Sequence, residues 1–162
     1  MFVLMRALTY AILFIGFVFV YLPSRVLLWA GVSPPAALGG AQSAGIVLAS
    51  LGGVLALWCI GAFVALGKGT QAPFDPPRQL VVGGPYRLVR NPMYWGALLV
   101  IAGGALYYQS IAPLVFGGAF LLIAHLFVLV YEEPALRRRF GPAYTAYCGR
   151  VHRWWPRPAA TR

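Results

Sequence analysis

The apolar positions of this chain fall in long unbroken runs, with neither the alternation of a strand nor the one-sided stripe of a soluble helix. A membrane-spanning helix needs about 20 mostly apolar residues. Four stretches reach or approach that length: residues 2–22, 41–66, 93–108 and 111–131. The first is interrupted only by Arg6, whose aliphatic stem lets its charge reach the interface. It lacks a small-residue cleavage site, so it is read as a retained helix and not as a signal peptide. The second is long enough to tilt. The third is short for a full span. "YYQSIAP" at 107–113 separates the third from the fourth, which predicts a tight helical hairpin. The expected fold class is therefore all-α: a polytopic integral membrane protein with about four transmembrane helices, the last two a hairpin.

The polar interruptions organise the rest. The connection 23–40 is turn-rich, with Pro34-Pro35 and Gly39-Gly40. The connection 67–92, "GKGTQAPFDPPRQLVVGGPYRLVRNP", reads as non-helical because Pro73, Pro76 and Pro77 forbid a regular helix. Connections this long are usually functional or disordered, and this one mixes aromatic, apolar and basic residues. Beyond the fourth run, Leu136, Phe140, Tyr144, Tyr147 and Val151 recur at spacings of three and four. They mark the apolar face of a basic, interfacial amphipathic helix, bent at Gly141-Pro142. It either covers the basic opening as a lid or lies on the membrane. Gly45, Gly52, Gly53, Gly61 and Gly67 read as helix-packing positions. Residues 1–66 thus form a two-helix membrane half. Residues 67–162 hold the loop, the hairpin and the tail, all within one structural domain.

Composition agrees with the pattern. The chain has 162 residues, is 60% hydrophobic and only 10% charged, and carries a net charge of +10. In a soluble protein that excess would suggest nucleic acid. Here the basic residues stand at the ends of apolar runs, so the expected partner is the lipid bilayer, with no nucleic acid. Four spans put every lysine and arginine except Arg25 on one side. The positive-inside rule makes that side cytoplasmic, together with both termini, and an inner bacterial membrane is the expected location. Cys59 and Cys148 have no metal spacing and are not expected to form a disulfide.

Candidate chemistry sits on the basic side. In "GPYRLVRNPMYWG" (84–96), Asn91 is a favoured N-cap and Pro92 a favoured first helical residue. Arg87 and Arg90 stand just before that helix start, whose free N–H groups and dipole favour an anion. A second reading has the arginines only anchoring the helix to head groups. In "YEEP", Glu132 and Glu133 are two of only three acids in the chain, and ionisable groups at membrane depth are functional candidates. A hairpin would bring both motifs to one end. Together they would suit a zwitterion, with its carboxylate at the arginines and its ammonium at the glutamates. His125 reads as a packing residue or part of a polar cavity, and His152 as interfacial. No metal constellation and no Ser/His/Asp set is visible.

These motifs, with "YEEPALRRRFGPAYTAYCGRVHRWWPR", resemble the membrane methyltransferase superfamily of isoprenylcysteine carboxyl methyltransferases and phospholipid (phosphatidylethanolamine) N-methyltransferases. The resemblance covers about residues 80–156. It implies S-adenosylmethionine as cofactor, no metal, and a lipophilic methyl acceptor entering from the membrane. Carried over by motif, Gly84, Pro85, Tyr86, Arg87, Arg90, Asn91, Pro92 and Tyr94 would line one part of the cofactor site, and Glu132 and Glu133 the other. Arg90, Tyr94 and Glu133 would be the catalytic set, with Glu133 or Tyr94 taking a proton from an amine acceptor. Members of this group often carry His where this chain has Asn91, so no imidazole role is transferred there. A sterol-type reductase using a nicotinamide cofactor and a non-enzymatic membrane scaffold are the alternatives.

Overall fold

A computed structural model describes residues 5, 9, 12–14, 16–68 and 77–157. Arg6, the start of the first expected span, and Pro73 and Pro76 of the loop lie outside the described residues. Every described element is helical. A π-helical segment Gly16–Tyr21 leads into α1 (Leu22–Trp29); α2 (Gly40–Ala62) is prolonged by a π turn, Phe63–Gly67. A short 3-10 turn, Gly84–Arg87, precedes α3 (Pro92–Tyr108). Then come α4 (Ala112–Phe127), a third π turn (Val128–Glu132) and α5 (Glu133–Arg150).

Ile12–Trp29, Gly40–Gly67 and Ala112–Arg150 are long and apolar enough to cross a membrane. At 17 residues, α3 rises about 25 Å, less than the ~30 Å hydrocarbon core. The expectation of about four spans therefore resolves into three full-length helices and one short helix packed between two of them.

The first expected span was placed too early, with its end at residue 22. The helix instead runs through Pro23 to Trp29. Proline removes one helical hydrogen bond and crowds the preceding turn, but the π-helical segment just before it widens the backbone there, and the Ser24 hydroxyl donates to Tyr21 O at 2.7 Å. What stops the helix is Gly31, at φ +66. Its N–H donates to Leu28 O and that of Val32 to Leu27 O, the paired bonds of a Schellman cap. The same arrangement recurs later. Pro134 does not break the fourth helix, because the π turn Val128–Glu132 precedes it and the chain continues directly into α5.

The antiparallel pair α2–α3 is the frame of the molecule. A Cβ on Gly45 would lie 2.6 Å from Gly103 O, and one on Gly52 2.5 Å from Gly96 O. The reciprocal clashes hold for Gly96 and Gly103, so the two backbones touch through a seam of small residues spaced seven apart. Gln42 ties off one end: its Oε1 accepts from Gly39 N and its Nε2 donates to Tyr107 O at 3.3 Å. The expected hairpin is present: α3 ends at Gln109, and the Ser110 N–H donates back to Ala105 O. The π-helical segment ahead of α1 leans on α4 through the edge-to-face rings of Phe19 and Phe120, 5.3 Å apart. The end of α2, the start of α3 and the end of α4 thereby meet at the basic end.

Of the glycines read as packing positions, Gly45, Gly52 and Gly67 are in tight contact, whereas Gly53 and Gly61 face open space. Gly52→Ala should therefore cost about 1–3 kcal/mol through overpacking and lower the melting temperature in detergent. Gly53→Ala should leave it unchanged or slightly higher. Equal melting of the two variants would sink the close-approach account.

Candidate active site

The chain enters the site through Gly84–Arg87. Pro85 and Tyr86 are buried. The Tyr86 ring meets Phe63 edge-on at 5.3 Å, and its carbonyl accepts the Tyr147 hydroxyl at 2.7 Å. Gly84, at φ +58, lies against the Trp58 indole. Arg87 is exposed and points away, so the two arginines of the opening stretch separate. Arg90 turns inward, and its N–H donates to His152 O at 2.9 Å.

Asn91 and Pro92 begin α3 as expected, but the expected side-chain cap is not made. The Asn91 amide instead donates to Arg153 O at 3.3 Å. The docked tail presents that carbonyl to the helix start and competes for the side chain.

The centre of the site is Glu133, only 6% exposed. Arg153 grips it with a two-pronged fork, Nε to Oε1 at 2.6 Å and Nη2 to Oε2 at 3.0 Å. Arg90 Nη1 lies 3.1 Å from Oε1 and also reaches the Tyr144 hydroxyl at 3.4 Å and Cys148 Sγ at 2.8 Å. Two guanidiniums thus compensate one buried carboxylate. Arg90 Nε is buried without a hydrogen-bond partner among the described residues.

Tyr86, Arg90, Asn91, Glu132 and Glu133 line one cleft, together with Tyr144 and Tyr147. Of the other expected residues, Gly84 and Pro85 shape the turn beneath it. Pro92 begins α3, and Tyr94 hydrogen-bonds to Glu132 from one side. The cleft holds only about 40 Å³, against ~300–1,000 Å³ for small-molecule sites, because the arginines and glutamate satisfy one another across it.

The tail is the part that sequence reasoning underplayed. Its predicted apolar face is correct: Tyr144, Tyr147 and Val151 form a buried cluster with Leu80, Leu136 and Phe140 around them. The bend is also where expected, with Gly141 out of helical geometry at φ 50, ψ −125. The face packs on protein, so the tail straps the basic end of the bundle. Beyond α5, alternate residues diverge: Arg153 enters the charged cleft, while the Trp154 indole donates to His125 Nδ1 at 3.1 Å. Nothing in the local sequence sets Arg153 apart from the other basic residues of the tail. The signal that could have found it is Glu133 itself, since a carboxylate at a membrane boundary needs cations from other segments.

A match to the family described as phospholipid methyltransferase covers residues 41–143, more than half of the chain. The curated relative phosphatidyl-N-methylethanolamine N-methyltransferase of Emericella nidulans is 33% identical over 97 residues. That region is 60% of this chain and 45% of the relative, so the chain spans less than half of the relative's length. No solved structure matches. The matched segment contains both charged motifs, "RNP" and "YEEP".

Glu133→Gln keeps the shape and removes the charge that holds two guanidiniums. The loss should be about 2 kcal/mol, below the ~3–5 kcal/mol of a fully buried pair, because the Arg153 side chain is 28% exposed. The expected readout is a lower melting temperature and faster tryptic cleavage of the tail. Unchanged cleavage in the variant would show that the tail is held by something else.

Proposed function

This chain belongs to the phospholipid methyltransferase family, and on that premise we propose that it is a membrane methyltransferase that uses S-adenosylmethionine to methylate an aminophospholipid at the cytoplasmic boundary. The observation that carries the reading is the cleft where Arg90, Glu132 and Glu133 converge at one end of the hairpin. The methionine end of the cofactor carries a carboxylate and an ammonium, and this cleft offers partners for both. The buried, unpartnered Nε of Arg90 is a donor in want of an acceptor. The charged residues therefore fit the group. At about 40 Å³ the cleft admits it only when Arg153 releases Glu133 and the strap shifts.

In this reading Arg90 holds the carboxylate, and Glu132 and Glu133 hold the ammonium. When bound, the cofactor supplies a methyl already activated on a sulfonium. The protein's share is alignment and exclusion of water, which the docked tail provides. An amine acceptor must lose a proton. Glu133, ion-paired with Arg90 even when Arg153 lets go, is a poor proton acceptor. The hydrogen-bonded Tyr94–Glu132 pair takes that role instead. The relative named for N-methylating phosphatidyl-N-methylethanolamine favours an amine over an isoprenylcysteine-type carboxylate. The basic residues gathered at this end favour the cytoplasmic side.

Titration of S-adenosylmethionine into detergent-purified protein tests the reading. The native chain should bind, and Glu132→Gln and Arg90→Lys should each weaken binding roughly tenfold, the scale of one charge-assisted contact. Tyr94→Phe should bind normally and transfer methyl at least tenfold more slowly. No binding at millimolar cofactor would falsify the proposal.

A further inference from the structure

On the other side of the strap lies a second cavity, of about 430 Å³, between α3 and α4. Trp95, Trp154, Trp155 and His125 surround its mouth, and Leu98 and Leu122 line it further down. Its volume falls in the ~300–1,000 Å³ range of ligand sites. The mouth sits beside the start of α3, at the basic end. The floor reaches Gly118, roughly 20 Å along the helix from Glu132 at 1.5 Å per residue. Leu122 is 60% exposed, so the groove opens sideways, where the bilayer lies.

The polar atoms at the mouth are already committed in a telling way. Trp95 Nε1 donates to Trp154 O at 2.8 Å, and Trp154 Nε1 donates to His125 Nδ1 at 3.1 Å. With both N–H groups used, these indoles offer the groove their π faces. Trp155 joins them, edge-on to Trp95 at 5.0 Å. Clustered indole faces attract alkylammonium groups. His125, accepting at Nδ1, carries its neutral-form proton on Nε2, a donor suited to a phosphate or ester oxygen. The wall between this groove and the charged cleft is thin. Tyr94 contacts Trp154 at 5.8 Å between ring centroids and hydrogen-bonds to Glu132.

We propose that this groove seats the methyl acceptor, a phospholipid with an N-methylated ethanolamine head group. One acyl chain lies between α3 and α4, the phosphate is beside His125, and the ammonium is on the indole faces next to Tyr94. The choice of an amine lipid rests on the methyltransferase reading. The groove as a lipid seat rests on its geometry.

The test uses the whole 162-residue chain in detergent micelles and a phosphatidyl-N-methylethanolamine carrying a diazirine in one acyl chain. Irradiation should label α4 around Gly118 and Leu122. Excess phosphatidyl-N-methylethanolamine should remove that label, and phosphatidylglycerol should not. Gly118→Leu places its side chain where a Cβ meets nothing within 4 Å, so it should fold normally and fill the groove. It should abolish the label and raise KM for the lipid about tenfold, with S-adenosylmethionine binding unchanged. Trp155→Ala should weaken competition by the N-methylated lipid severalfold. Labelling spread evenly over the bundle, equal competition by phosphatidylglycerol, or normal labelling of Gly118→Leu overturns the proposal. Cofactor titration on the same preparation keeps the two readings apart. Specific labelling without cofactor binding would leave the lipid seat standing and remove the methyltransferase mechanism.

Discussion

A carboxylate at the end of a membrane helix has to be neutralised, and Glu133 is neutralised from two directions. Arg90 comes from the approach to α3, and Arg153 comes from beyond α5. That one requirement joins three segments that lie far apart in the chain. The bend at Gly141-Pro142 turns α5 so that its tail can return. The Tyr147–Tyr86 and Asn91–Arg153 hydrogen bonds then fasten the tail to the entry of α3. A buried ion pair is weak evidence for stability, since desolvation offsets most of its attraction. Its value here lies in placement: it fixes where the strap sits and which side of it is charged.

The strap also divides the basic end of the bundle. Arg153 belongs to the charged cleft, and Trp154 belongs to the indole-lined groove. An extended segment sends successive side chains to opposite faces, so two neighbouring residues can serve chemically opposite cavities. Tyr94 stands where they meet, with its ring on Trp154 and its hydroxyl on Glu132. A water-soluble zwitterion and a lipid could thus approach one point from different phases without sharing an entrance.

The rest of the fold keeps that point still. The glycine seam between α2 and α3 brings two backbones into direct contact, which leaves little freedom for α3 to slide. Prolines at positions 23 and 134 are absorbed by π turns placed just before them, so two helices run on where a break was to be expected. In the second case that continuity places Glu133 at the junction of α4 and α5, rigidly beside Arg90.

Hydrophobic runs, the hairpin turn, the Asn91-Pro92 helix start, the amphipathic tail face and its bend were all legible along the chain. Each depends on residues close in sequence, and run length and turn chemistry are local properties. The fold class, the family resemblance and the gathering of Arg90 and the glutamates at one end followed from them. The first apolar run ends at residue 22, just before a proline, and only the backbone there shows the π turn that lets the helix continue through it. The partners of Glu133, the outward turn of Arg87, the diversion of the Asn91 side chain and the pairing of Trp154 with His125 were decided by the tertiary structure. They depend on where the tail comes to rest against residues 20 to 62 positions earlier in the chain. That place is set by packing and charge neutralisation between distant segments, which no local pattern encodes.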